Sequence, residues 1–185
     1  MSSATFDAAG NAITRTDAKA QTSTYQYDAL NRVVQINWAD GKVWSYGYDA
    51  GASGKGRLSS LIDPSGSTFL SYDLHGRLIQ KQQALLSYSS TYPGVTLTTG
   101  YGYNSAGQRV SQTYPSGKVV SYTWSNGLIT QVAVNGTPIA SNIVYRPFGP
   151  PQQWTFGSGP AVSRSFDLDG RNERQPGRHD CGATP

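Results

Sequence analysis

The chain alternates between polar and apolar positions in short stretches. From Thr24 to Asp28, hydroxyl or amide side chains separate the aromatic Tyr25 and Tyr27, the period-two pattern of a strand with one face turned inward. Ala29-Leu30-Asn31 interrupts it as a tight turn. Val33, Val34, Ile36 and Trp38 carry a second strand. Ala39-Asp40-Gly41-Lys42 follows, and its Asp-Gly step supplies the positive φ that hairpin turns need. Val43, Trp44, Tyr46 and Tyr48 lead into the next such unit. Each unit is therefore predicted to be two antiparallel strands and two turns.

The units recur. Tyr25-Gln26-Tyr27-Asp28-Ala29-Leu30-Asn31-Arg32 is echoed at Tyr46-Gly47-Tyr48-Asp49, Ser71-Tyr72-Asp73-Leu74-His75-Gly76-Arg77, Tyr101-Gly102-Tyr103-Asn104 with Gly107 and Arg109, and Phe166-Asp167-Leu168-Asp169-Gly170-Arg171. Weaker copies lie at Phe6-Asp7, Tyr122-Thr123-Trp124 and Val144-Tyr145. Subtracting neighbours along Phe6, Tyr27, Tyr48, Tyr72, Tyr103, Trp124, Tyr145 and Phe166 gives steps of 21, 21, 24, 31, 21, 21 and 21. A fixed period of this size marks units that bury a face only by stacking on their neighbours.

The irregular steps have local causes. Gly51-Ala52-Ser53-Gly54-Lys55-Gly56 is an insertion behind the step of 24. Gln80 to Pro93 stretches the next unit, predicting a longer hairpin or surface excursion, and it is the one segment with room for a short helix. Tyr145-Arg146-Pro147-Phe148-Gly149-Pro150-Pro151 predicts a bend or an edge, because proline cannot donate to a sheet ladder. The repeats span residues 1–171. Residues 172–185 carry no strand signal and are expected to be a disordered tail. Their composition departs from what precedes, as where a parent gene or reading frame has been cut.

Composition agrees with strands throughout. Charged residues make up only 14% and aromatics 11%, with 12 Tyr and 21 Gly, the reverse of a disordered chain. The net charge of +4 does not point to nucleic acid, since Arg32, Arg57, Arg77, Arg109 and Arg171 recur once per unit rather than clustering. The single cysteine, Cys181, allows no internal disulfide. No apolar run is long enough for a membrane span, and the start lacks the charged and apolar regions of a signal peptide.

Tyr-x-Tyr-Asp-x-x-Gly-Arg on a step near 21 resembles the YD repeat of the RHS family over residues 5–171. The match is carried by Tyr27, Asp28 and Arg32, Tyr48, Tyr72, Asp73, Gly76 and Arg77, Tyr103, Gly107 and Arg109, and Phe166, Asp167, Gly170 and Arg171. Trp124-Ser125 lacks the Asp and Arg, and Tyr145-Arg146 lacks the Asp. The resemblance implies hairpins wound into a hollow β-shell, which in bacterial members encloses a toxic C-terminal domain and which occurs also in teneurins. It implies a secreted or cell-surface parent, of which this chain would be a short stand-alone fragment.

The fold expected is therefore all-β, with tandem antiparallel hairpins in a strongly curved, partly rolled sheet. Roughly fifteen strands exceed what a flat open sheet tolerates. Each marker aromatic is expected to pack on its equivalent next door. In Asp28/Arg32, Asp73/Arg77 and Asp167/Arg171 the carboxylate is expected to cap turn N–H groups and face the guanidinium. Open sheet edges predict a protein partner or self-association.

Little in the sequence points to catalysis. His75 falls in a repeat turn. His179 and Cys181 are too few for structural zinc. Asp167-x-Asp169-Gly170 lacks the distal glutamate of a calcium loop, and Asn135-Gly136-Thr137 reads as a hairpin turn before a glycosylation site. No enzyme, cofactor or metal is expected. The competing reading is a carbohydrate-binding module in which Trp38, Trp44, Trp124 and Trp154 stack on sugar rings from an exposed face.

Overall fold

The computed structural model describes residues 2–87 and 93–173. These form fifteen strands and, among the described residues, no helix: β1 (Ser3–Phe6), β2 (Ala12–Thr16), β3 (Thr22–Tyr27), β4 (Val33–Asn37), β5 (Val43–Tyr48), β6 (Leu58–Asp63), β7 (Gly66–Tyr72), β8 (Leu78–Leu85), β9 (Val95–Tyr103), β10 (Arg109–Thr113), β11 (Val119–Ser125), β12 (Leu128–Val134), β13 (Thr137–Tyr145), β14 (Pro151–Phe156) and β15 (Ala161–Ser163). They belong to one antiparallel sheet whose strand order is the order of the chain. The chain divides into two units, Met1–Tyr101 and Gly102–Pro185.

In the first unit the alternation of the sequence becomes the alternation of the pleat. Ser23, Tyr25 and Tyr27 of β3 are half-buried, while Thr22, Thr24 and Gln26 are exposed. The register sets Tyr25 opposite Ile36 and Ile36 opposite Trp44, a cross-strand row of large apolar side chains. Ala12 and Ile36 are buried, and Ser59 is the buried polar residue. The second unit buries Ala133. No described side chain falls below 2% exposure, so neither unit has an enclosed core. The sheet is a single layer held by what each strand does with its neighbour.

One five-residue turn serves both ends of the strands. The N–H of its first residue donates to the carbonyl of its fifth, and the N–H of its fourth donates to the carbonyl of its first. Asp28/Arg32, Asp73/Arg77 and Asp167/Arg171 follow this pattern, and so do Asp17/Gln21, Trp38/Lys42 and Tyr114/Lys118 at the other ends of the strands. The fourth residue takes a positive φ, 76° at Gly76 and 59° at Asn31, where the short amide tolerates what glycine permits. The pairing then slips by one residue, as between Gln26 and Tyr27, which is the bulge this three-residue loop generates.

The stretched unit is a longer hairpin. Gln80 to Leu85 lie in β8 and pair with Val95 to Gly100 of β9, so the described part of this segment is strand and not helix. Alternating side chains without a helix cap favour that outcome, and residues 88–92 lie outside the described residues. At the proline-rich copy, residues 146–150 form the turn and Pro151 is the first residue of β14, a position a proline can occupy. At the C-terminal side Asn172 bridges to Phe166, and the Glu173 N–H donates to the Ser165 carbonyl at 2.9 Å. Backbone pairing thus reaches into the first two residues assigned to the tail. Residues 174–185, with His179 and Cys181, lie outside the described residues.

Gly66 opens β7 opposite Leu85 with φ at 146°, and a Cβ there would run into the carbonyl oxygen of Ala84. Gly66→Ala should lower stability by on the order of 3 kcal/mol in urea denaturation. Gly41→Ala, with φ at 80° and open space around it, should cost only about 1 kcal/mol.

Candidate functional site: the ladder between repeats

The residues that recur along the chain meet at one end of the strands. Asp28 organises its turn: Oδ1 accepts the N–H groups of Leu30 and Arg32, each at 2.9 Å, and Oδ2 accepts Nε of Arg32 at 2.7 Å. Asp73 does the same with the N–H groups of His75 and Arg77 at 2.9 Å and with Arg77 Nε at 2.6 Å. His75 contributes its backbone N–H to this cap, and its side chain lies in an exposed turn.

Each turn then reaches the next. Asn11 Nδ2 donates to Asn31 Oδ1 at 2.8 Å. The Arg32 guanidinium extends past Asp28 to hold Asp49 at 3.1 and 2.6 Å. Arg57 Nε donates to the Gly76 carbonyl at 3.3 Å. The same arginines cover the next marker aromatic: Arg32 lies 4.3 Å from the Tyr48 ring centroid and Arg57 lies 5.7 Å from that of Tyr72.

The marker aromatics reach in the opposite direction. The Tyr27 hydroxyl donates to the Ala12 carbonyl at 3.0 Å, Tyr48 to Val33 at 2.8 Å and Tyr72 to Leu58 at 2.8 Å. In the second unit Trp124 Nε1 donates to the Arg109 carbonyl at 2.9 Å and the Tyr145 hydroxyl to Ile129 at 2.9 Å. These contacts between repeats are phenol or indole to main chain, and cation over ring. Where a ring was expected to pack on its equivalent, Tyr48, Tyr72 and Phe166 are each covered by an arginine.

Two copies depart from the pattern. In the turn from Asn104, the fifth residue is Gln108 and not Arg109. Gln108 N–H donates to Asn104 Oδ1 at 2.9 Å, and Asn104 Nδ2 donates to Gln108 Oε1 at 2.8 Å, a neutral version of the Asp–Arg pair. Gly107 keeps the positive φ of the fourth position, and Tyr103 ends β9. Arg109 heads β10 and lies 5.4 Å from the Tyr122 ring. Phe166 has no hydroxyl and is covered by Arg146 at 4.8 Å. In the turn from Asp167 to Arg171, with Gly170 at positive φ, Oδ1 caps the Arg171 N–H at 2.7 Å. The Arg171 guanidinium stays exposed, 3.8 Å from Asp169. No following turn among the described residues holds it in place as Asp49 holds Arg32.

Of the four tryptophans, Trp38 and Trp44 meet edge to face at 5.7 Å, and Trp154 meets Phe156 at 5.9 Å with Arg164 stacked on it at 4.7 Å. All four are half-buried. Among the described residues no three His, Cys, Asp or Glu side chains come together to hold a metal, and no helix is long and apolar enough to cross a membrane.

The ladder is electrostatically tuned. The hydrogen bond from Arg32, followed by that from the Gly56 N–H, holds the Asp49 carboxyl down at about 2. The Arg32 N–H and guanidinium lower Asp28. At Asp73 burial pushes upward, but the Arg77 N–H and guanidinium outweigh it.

A tandem array of hairpins, fastened to one another within each unit by their marker residues, is the class of protein this geometry defines. The RHS Repeat family model matches residues 6–37 and 103–137, one stretch beginning in each unit. No curated protein sequence matches the chain. Its fold is similar to that of solved Tc toxin structures. A chain of TcdB2-TccC3-TEV aligns with TM-score 0.79 and 15% identity over 92% of this chain. TcdB2-TccC3 without its hypervariable C-terminal region aligns at 0.55 with 16% identity over 89%. The Photorhabdus luminescens Tc holotoxin pore carrying TccC3-D651A aligns at 0.57 with 16% identity over 92%. This chain spans only 10–11% of the length of those chains.

Tyr48→Phe should lower stability by about 1 kcal/mol, because the Val33 carbonyl loses its donor. Tyr25→Phe, which removes no hydrogen bond, should stay within about 0.5 kcal/mol. Urea midpoints for the two variants check this. Asp49 is depressed below its ordinary 3.8, so its contribution is fully present above that pH and is lost as pH falls toward about 2. The urea midpoint should therefore be flat above about pH 5 and fall between about pH 4 and 2. Asp49→Asn should flatten part of that fall.

Proposed function

We propose that this chain is a non-catalytic structural segment of an RHS-type wall. The observation that carries the reading is the commitment of the recurring side chains. The tyrosine hydroxyls are donated backward to main-chain carbonyls, while Asn11, Arg32 and Arg57 reach forward to the next turn. A catalytic group has to present its reactive atom to an open site. Here those atoms are aimed at neighbouring repeats. On this reading Tyr27, Tyr48, Tyr72, Tyr103 and Phe166 are rungs. Asp28, Asp73 and Asp167 shape the turns, with Gly76, Gly107 and Gly170 supplying their positive φ. Arg32 and Arg57 are the forward links, Arg77 and Arg171 belong to their own turns, and Arg109 covers Tyr122. Curvature, and a place in a longer shell that encloses another domain, belong to the same proposal and draw on the RHS repeat and on the Tc toxin fold.

The natural partner is another protein segment of the same kind. A single-layer sheet leaves its outermost strands with unpaired N–H and C=O groups, which accept a further strand. Exposed apolar tips such as Leu30 and Leu74, 69% and 90% exposed, add to that need for cover.

A double-mutant cycle on Arg32→Gln and Tyr48→Leu, which removes the ring under the guanidinium, should return a coupling of at least about 0.5 kcal/mol in urea denaturation. Independent effects would remove the ladder as the source of stability. Light scattering coupled to gel filtration should show mass rising with concentration, and a strict monomer at high concentration would remove the edge partnership.

A further inference from the structure

We infer that Asn126 is a self-modification site, converted through a succinimide with Gly127 into an aspartyl or isoaspartyl linkage, while the equivalent Asn135-Gly136 step is protected by the fold. Both steps lie in the second unit.

The two turns are a matched pair. Each joins its strands through two residues: Ser125 pairs with Leu128 across the first, and Val134 with Thr137 across the second. Asn126 and Asn135 both take a φ of 49°, and Gly127 and Gly136 follow at 79° and 80°. This hairpin turn requires positive φ at both central positions, and Asn-Gly meets the requirement with little strain. All four residues are exposed, so water and hydroxide reach both steps alike. A side chain on the following residue would crowd attack on the carboxamide. Every other described asparagine is followed by one, as Asn31 is by Arg32 and Asn142 by Ile143.

The carboxamides separate the two. Asn135 Oδ1 accepts the Val119 N–H at 2.8 Å, and the Asn135 N–H donates to the Val119 carbonyl at 2.8 Å. Asn135 thus prolongs the β11–β12 ladder by a rung in which its side chain takes part. The Asn126 side chain makes no hydrogen bond, and the Gly127 N–H donates to no carbonyl. Ring closure needs the carboxamide carbon to swing onto the glycine nitrogen. Asn126 is free to make that swing. Asn135 must first give up Val119.

The chemistry needs only water and hydroxide. Hydroxide takes the proton from the Gly127 nitrogen, which attacks Cγ of Asn126. The new N–Cγ bond forms, the Cγ–Nδ2 bond breaks, and Nδ2 leaves as ammonia with a proton from water. One water then opens the imide ring. Cleavage at Cγ yields an aspartyl residue, and cleavage at the main-chain carbonyl yields an isoaspartyl one. Either product places a carboxylate on the turn. The isoaspartyl product also lengthens the main chain of a two-residue loop whose length sets the register of β11 on β12.

The proposal needs only a folded second unit and does not rest on the wall reading. Purified chain is held in mildly alkaline buffer, folded or in urea beyond the unfolding midpoint. Samples are followed over days by peptide mass mapping and by enzymatic methylation of isoaspartyl residues. In the folded chain Asn126 should gain one dalton at least about threefold faster than Asn135. In urea, where the Val119 contact is lost, the two should convert at matching rates. Asn126→Gly keeps the positive φ without the carboxamide. It should remove most of the folded chain's isoaspartyl signal and leave the melting temperature in place. A smaller ratio in the folded chain, unequal rates in urea, or an isoaspartyl signal that survives Asn126→Gly would overturn the proposal.

Discussion

A single layer of strands has no interior, and every other feature of this molecule follows from that constraint. Among the described residues Ala12, Ile36 and Ala133 are the buried apolar ones, and none is large enough to anchor a core alone. Burial of apolar area is ordinarily the dominant favourable term in folding. Here it is spread thinly over half-buried rows such as Tyr25, Ile36 and Trp44. Cohesion between units is then left to directional contacts: a phenol on a carbonyl, a guanidinium shared between two carboxylates, a cation over a ring. Arg32 shows how much one side chain can join, since it closes its own turn through Asp28, holds Asp49 and covers Tyr48.

Much of the fold was legible in the sequence because its two periods are clean. Alternation within Thr24 to Tyr27 gave strands, and the recurrence near 21 residues gave tandem hairpins. What sequence could not supply was the partner of each marker residue. The acceptor of the Tyr48 hydroxyl is the carbonyl of Val33, and a main-chain oxygen leaves no trace in residue identity. The ring-on-ring packing expected from aromatic recurrence therefore missed the arginines that cover Tyr48 and Tyr72. Arg109 was misaligned for a related reason: the fifth position of its turn holds Gln108, and an amide pair does the work of an ion pair there. That substitution could have been found by counting five residues from Asn104. The strand character of Gln80 to Ala84 was obscured by the break in the period around it.

The turn itself is more general than the motif that marks it. Asp28 to Arg32 and Trp38 to Lys42 have the same backbone hydrogen bonds at opposite ends of the strands, yet only the first has the recurring tyrosine and arginine. The backbone geometry is set by the positive φ of the fourth residue, which Gly41, Asn31 and Ala20 all adopt. The marker side chains are an addition to one end of the sheet. The other end is free to vary.

The backward-reaching rungs land on Ala12, Val33, Leu58, Arg109 and Ile129, five different residue types. A seam whose receiving side is a bare peptide oxygen asks nothing of the side chain there. Hairpins of divergent sequence can therefore be spliced beside one another without matched mutations across the join. Recombination could shuffle, lengthen or shorten such a chain unit by unit while leaving its mechanical continuity intact.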